Sequence, residues 1–294
     1  MDLTRLKGMG VAMVTPFDQN GNIDFDALKK LTQFLIDNHT DYLVVQGTTG
    51  ESPVLSDDEK MDVLSTVIEV NNGKLPIVYG IGGNDTTAVA KKLANFNITG
   101  VDAILSVSPY YNKPTQEGIY QHYKTISETS KLPIILYNVP GRTASNILAE
   151  TTLRIANDCK NVIAVKEASG NIEQIMNIIQ NKPVNFLVIS GDDAITMPFI
   201  AAGGDGVISV VGNGFPQLFS KMVNTGLKGD NLTSQKLHYQ IFPIIKHLFY
   251  EGNPAGIKEV LHHLNIMENK VRLPLVNVST ETKKNIISIT KSLY

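Results

Sequence analysis

The chain has 294 residues, 43% hydrophobic and 18% charged, enough apolar material for one large α/β domain with an appendage and too much for disorder. A net charge of −2 without a basic cluster argues against nucleic acid, and no apolar run approaches the ~20 residues of a membrane span. Cys159 is the only cysteine and the segment Met1–Arg5 lacks the apolar core of a signal peptide, so a soluble cytoplasmic protein without internal disulfides is expected.

From residue 10 onward, short apolar runs alternate with amphipathic segments. The runs cover 11–15, 42–46, 77–81, 103–107, 134–137, 162–165, 186–189 and 207–211, each reading as a buried parallel strand. Helical stripes lie between them: Leu28, Leu31 and Leu35; then Met61, Leu64, Val67 and Ile68; later Ile172, Ile175, Met176 and Ile179. Ser56 and Glu59 stand at capping-box spacing before the second stripe. Eight strand–helix units point to a (β/α)8 barrel, with an open doubly wound sheet as the competing arrangement. Past the polar stretch at 224–231 the alternation stops. Leu237, Ile241, Ile244, Ile245 and Leu248 form a helical stripe. Asn253-Pro254 reads as a cap and first-turn proline for a helix carrying Ile257, Val260, Leu261 and Leu264, and a last helix covers 280–293. The expected division is a barrel over 1–225 and a C-terminal helical extension over 226–294.

Barrel sites form where strands end and βα loops begin. Those ends carry Gly47-Thr48-Thr49-Gly50-Glu51, Pro109-Tyr110-Tyr111, Tyr137-Asn138-Val139-Pro140-Gly141-Arg142-Thr143, Lys166-Glu167-Ala168-Ser169-Gly170, Ser190-Gly191-Asp192-Asp193 and Ile208-Ser209-Val210. Strand alternation puts Lys166 on a face with Ala164 and Val162, and Tyr137 on one with Ile135. A lysine desolvated at such a place is pushed toward its neutral form and can attack a carbonyl to form a Schiff base. Read alone, it is equally a solvated lysine at a strand end. Tyr137 is a proton donor and acceptor or an ordinary strand aromatic. With a phenol pKa of ~10 it needs a hydroxyl relay, for which Thr48 and Tyr111 are candidates. Thr49 and the backbone N–H groups around Gly47 and Gly50 suit a carboxylate. Arg142 suits a second carboxylate through its forked guanidinium, or a surface ion pair. The Gly80-Ile81-Gly82-Gly83 spacing is not a dinucleotide fingerprint. The six histidines are scattered, so no metal is expected. Gly212 and Gly214 follow the eighth strand without a basic residue beside them, which disfavours phosphate.

Taken together, these motifs resemble the dihydrodipicolinate synthase branch of the N-acetylneuraminate lyase family, over the whole barrel and into Asn253-Pro254 and Arg272-Leu273-Pro274-Leu275. The resemblance implies condensation of pyruvate with L-aspartate 4-semialdehyde to 4-hydroxy-tetrahydrodipicolinate, on the route to diaminopimelate and lysine, without a cofactor. It assigns Lys166 to the Schiff base and Tyr137 to proton transfer through Thr48 and Tyr111, with Tyr111 entering a neighbouring subunit's site. Thr49, Gly191 and backbone near Ile208 then serve pyruvate, and Arg142 the semialdehyde carboxylate. A homodimer is the implied minimal active unit and a homotetramer, a dimer of dimers, the implied assembly. Lysine-inhibited members often carry a histidine and a glutamate where this chain has Lys60 and Ala88, while Ser52, Asn84 and Tyr110 are retained, so weak inhibition by lysine is expected. Two other readings share parts of this pattern. A sugar-acid aldolase would share Lys166 and Tyr137 but not the setting of Arg142, and a silent keto-acid-binding barrel would need no nucleophile.

Overall fold

A computed structural model describes residues 2–97 and 99–294, so Met1 of the N-terminal segment lies outside it. Eight parallel strands close on themselves in sequence order. They are β1 (Gly8–Ala12), β2 (Tyr42–Val45), β3 (Ile77–Gly80), β4 (Ala103–Val107), β5 (Ile134–Asn138), β6 (Val162–Glu167), β7 (Leu187–Ser190) and β8 (Gly206–Ser209). Parallel neighbours require crossovers, and helices supply them. The first four are α1 (Phe25–Asp37), α2 (Asp57–Asn71), α3 (Thr86–Asn95) and α4 (Gln116–Thr129). Next come the one-turn α5 (Pro140–Thr143), α6 (Ala149–Asp158), α7 (Ile172–Asn181), the short α8 (Thr196–Ala201) and α9 (Pro216–Leu227). The chain ends in α10 (Asn231–Phe249), α11 (Ala255–His263) and α12 (Thr280–Leu293). This is the expected (β/α)8 barrel with added C-terminal helices.

Two apolar layers hold it together. Inward side chains, among them Val44, Val78, Leu105, Ile135, Ala164 and Ile189, fill the barrel. Outward ones pack against the helices in a second cluster that also takes in Ile241, Ile257, Val260 and Ile286 from the C-terminal helices. Tyr42 is fully buried at the base of the interior, and only a glycine at position 10 leaves room for its ring: a Cβ there would lie 2.1 Å from it.

The first strand sits three residues earlier than the apolar run suggested. Gly8 and Gly10 carry no apolar side chain to mark it, whereas the ladder ends with the Met13 N–H donating to Val44 O (3.0 Å), and the Val14 N–H already donates to Asn213 Oδ1 at 3.2 Å. The eighth strand likewise starts at Gly206 and ends at Ser209. Gln46 and Ile81 fall just outside their strands, while Asn138, Lys166, Glu167 and Ser190 are added at the C-terminal ends. Lys166 therefore lies within β6. A register shift opposite Ile134/Ile135 pairs Val162 with Ile134 and Ala164 with Ile135, leaving Ile163 unpaired. Such a bulge reverses the alternation before it. Val162 consequently packs outside, not on the Lys166 face, while Ala164 points inward as expected.

Two helical stripes are rotated from the expected ones. In α2 the buried residues are Val63, Leu64 and Val67, with Met61 exposed; in α7 they are Ile175 and Ile178, with Ile172 and Met176 exposed. The Leu28, Leu31, Leu35 stripe is buried, and Ser56 with Glu59 closes the capping box. Asn253 does not cap α11. Pro254 occupies that position, and the Asn253 amide instead donates to Thr49 Oγ1 at 2.9 Å across the molecule.

Candidate active site

The C-terminal ends of the strands open into a cavity of about 1080 Å³. Thr48, Tyr137 and Arg142 line it, together with the retained Ser52 and Tyr110. β5 and β6 are in register so that Tyr137 stands beside Lys166, and the Lys166 ammonium lies 4.3 Å from the centre of the Tyr137 ring. Lys166 is 6% exposed, and among the described residues no carboxylate lies within 4.0 Å of its Nζ. With no carboxylate beside it, the Lys166 nitrogen, once it is the neutral amine, is open to a reacting carbonyl.

Gly191 touches the Lys166 stem. A Cβ at this position would stand 3.0 Å from Lys166 Cε and 2.7 Å from Ala168 Cβ. Ile208 faces the barrel interior from β8. Behind it Asp193 is buried, its Oδ2 accepting from the N–H groups of Val210 (3.1 Å) and Val211 (3.2 Å), and burial pushes its carboxyl up to about 6. Asp193 thus fixes the backbone that follows Ile208. It had been visible in the sequence only as part of a loop motif.

Thr49 is buried in a 3-10 turn, Thr48–Gly50, that follows Gly47. The Gly50 N–H donates to Gly47 O within that turn, so it is not open to a ligand carboxylate as the sequence suggested. The turn is anchored from the C-terminal helices. Glu51, held at φ 55, forms an ion pair with Lys258 at 2.5 Å, both side chains having 0% exposure. Its other oxygen accepts from Arg272 N–H at 3.0 Å. Burial, opposed by the Glu51 charge, lowers Lys258 to about 8. Lys258 gave no signal in the sequence, since a lone lysine in an amphipathic helix ordinarily faces water.

Arg142 stands exposed in α5, and no carboxylate pairs with it among the described residues. Its loop is tied to the strands from outside the barrel. Asn138 Nδ2 donates to Glu167 Oε2 (2.9 Å) and Asn146 Oδ1 (2.8 Å), Ile147 N–H donates to Asn138 Oδ1 (3.0 Å), and Gln174 closes the network on Glu167 and Asn146. The neighbours in sequence of Tyr137 and Lys166 thereby clamp the segment carrying Arg142. Tyr111 is not brought to this site within one chain. It is 87% exposed, with φ 73, and does not line the cavity. Lys60 and Ala88 line the far side of the cavity, Lys60 paired with Asp57 at 3.3 Å. Among the described residues no group of three or more His, Cys, Asp or Glu side chains is placed to hold a metal ion.

Residues 5–293 match the Dihydrodipicolinate synthetase family. The chain belongs to that family. It is similar to 4-hydroxy-tetrahydrodipicolinate synthase of Flavobacterium psychrophilum, with 54% identity over 97% of this chain and 98% of the relative. The enzyme of the same name from Parabacteroides distasonis is 54% identical over 98% and 97% of the two chains. Among solved structures, dihydrodipicolinate synthase from Thermotoga maritima superposes with a TM-score of 0.95 at 41% identity, covering 98% of each chain. The first monomeric dihydrodipicolinate synthase variant superposes with a TM-score of 0.96 at 41% identity, over 99% and 98%. Family membership thus extends across the barrel and the C-terminal helices together.

Proposed function

We propose that this chain condenses pyruvate with L-aspartate 4-semialdehyde to 4-hydroxy-tetrahydrodipicolinate, a lyase reaction of the class I aldolase type that feeds diaminopimelate and lysine synthesis. The observation that carries the reading is the buried Lys166 side chain, without an acidic partner, set against the ring of Tyr137, which lines a large cavity. The Lys166 amine adds to the keto carbon of pyruvate and water leaves, forming an imine. The imine draws electrons from the methyl carbon, which loses a proton to give an enamine. That carbon attacks the aldehyde, whose oxygen takes up a proton. The amino group of the semialdehyde then adds to the imine carbon and displaces Lys166, closing the ring.

Tyr137 handles the protons, helped by Thr48 and by Tyr111 of a neighbouring copy. Thr49, Gly191 and the backbone at Ile208 form the pyruvate side, and Arg142 receives the semialdehyde carboxylate through its paired N–H groups. The exposed Tyr111 supports a dimer as the minimal active unit, with a dimer of dimers as the assembly. The barrel and its helical extension, divided near residue 225, share one outer apolar cluster. Among the described residues no helix is long and apolar enough to cross a membrane, which accords with a cytoplasmic location. Lys60 and Ala88 together put a cation where a cationic effector needs an anion, so lysine should inhibit weakly. Submillimolar inhibition in a coupled assay would refute this.

The decisive experiment is intact-mass analysis after borohydride reduction with pyruvate. Wild type should gain one pyruvate-derived adduct and Lys166→Ala none. A folded wild type without the adduct would overturn the proposed chemistry.

A further inference from the structure

One polar side chain of the catalytic cavity has no part in the steps above. Gln46 follows β2 at φ 60, in the left-handed region that residues other than glycine seldom adopt. It lines the cavity with Thr48, Tyr137 and Arg142 and is 4% exposed. Neither its Nε2 nor its Oε1 has a hydrogen-bond partner among the described residues. A buried amide with donor and acceptor both unmet destabilises the protein that contains it. An apolar residue of similar shape would avoid the penalty, and Ile81, Leu105 and Val107 of the same wall are apolar. Its backbone is held firmly: a Cβ on Gly80 would lie 2.2 Å from the Gln46 carbonyl oxygen, so the two strand ends close on each other only because position 80 is glycine. Buried, unpaired and held in an unfavourable conformation, this amide is placed for a ligand that supplies the missing partners.

The cavity wall indicates which ligand. Lys166, Thr49, Gly191 and Ile208, the proposed pyruvate side, do not line this cavity, whereas Arg142 does. Gln46 therefore lines the same cavity as the group proposed to take the second substrate. Beyond the carboxylate claimed by Arg142, an amino-acid semialdehyde presents an ammonium, which needs an acceptor, and carboxylate oxygens, which accept from a second donor. A primary amide offers one of each.

We propose that Gln46 is a specificity-determining residue for the second substrate, its Oε1 accepting from the α-ammonium of an amino-acid aldehyde and its Nε2 donating to the same molecule's carboxylate. This rests on the function proposed above. In Gln46→Leu the KM for aspartate semialdehyde should rise on the order of 10²-fold, since both hydrogen bonds to charged groups are lost. Borohydride trapping of pyruvate should stay within about twofold of wild type on the same scale, and the ligand-free Tm should rise, by about 2 °C or more, because the unmet amide is gone. Gln46→Met, unbranched and of similar length, gives the same readouts if the leucine variant does not fold. An unchanged KM would overturn the inference, and so would a lower Tm with pyruvate trapping and KM impaired together, which marks a structural glutamine. The two readings fail separately. Wild type without a pyruvate adduct removes the function and this inference with it. Wild type that traps pyruvate and turns over, beside a Gln46→Leu of equal KM, removes this inference alone.

Discussion

Gly191 illustrates how far the chemistry depends on single atoms. Its glycine serves space: a methyl group would press on Ala168 and on the Cε next to the reacting nitrogen of Lys166. A displacement of about 1 Å in a reacting group can lower a rate on the order of 10²-fold. Gly191→Ala should therefore lower kcat for condensation on that order while the protein stays folded, as a coupled assay and a thermal melt would show. A kcat within twofold of wild type would remove Gly191 from the site. At this scale the sequence was most legible where a strand ended. Lys166, Tyr137, Thr48 and Arg142 all sit at or just past strand ends, so alternation and position sufficed to single them out. Gln46 and Asp193 also sit there, yet they went unremarked, because what distinguishes them is the presence or absence of partners in space.

Among elements, the coupling of the Thr48–Gly50 turn to the C-terminal helices stands out. Glu51 meets Lys258 of α11 and the N–H of Arg272, and Asn253 meets Thr49. The extension thus supports the floor of the site as well as the outside of the barrel. Lys258→Met should strand the Glu51 carboxylate in the interior and destabilise the protein by about 3–5 kcal/mol, measurable by urea unfolding. A loss below about 1 kcal/mol would show that Glu51 finds other support. A second tie joins Arg272 to Glu59 of α2, with N–O distances of 2.9 and 2.5 Å. The Arg272 guanidinium holds the Glu59 carboxyl down to about 2, against an ordinary value of 4.5. Because the folded pKa is the lower one, the stabilisation is present above about 4.5 and is lost as pH falls toward 2. Thermal melts from pH 6 to pH 3 should accordingly fall less steeply for Glu59→Gln than for wild type. Parallel curves would show that the pair contributes nothing. Only half of this was legible: Ser56 and Glu59 announced a capping box, but Glu59 also serves an arginine more than two hundred positions away, and linear spacing carries no trace of that.

At the scale of the whole molecule, the role proposed for Tyr111 requires a second copy of the chain, because Tyr111 is 87% exposed and does not line the cavity of its own chain. Mixing inactive Lys166→Ala with inactive Tyr111→Phe under dissociating and reassociating conditions should restore activity to about a quarter of wild type, since half of randomly formed dimers are hybrids with one complete site. No recovery, with hybrids demonstrated by mass, would place Tyr111 in its own chain's site. The sequence by itself determined the number of strands and the strand ends at which the candidate side chains stand, because both are written in local periodicity and in the ends of apolar runs, whereas the closed barrel rather than an open sheet was decided by the pairing of β1 with β8. It could not decide the bulge that turns Val162 outward, the place of Asn253, the burial of Lys258 or the unmet amide of Gln46. Those depend on which surfaces meet after closure. Whether a polar atom is satisfied or orphaned is a property of the neighbours that folding brings to it, and those neighbours lie far away along the chain.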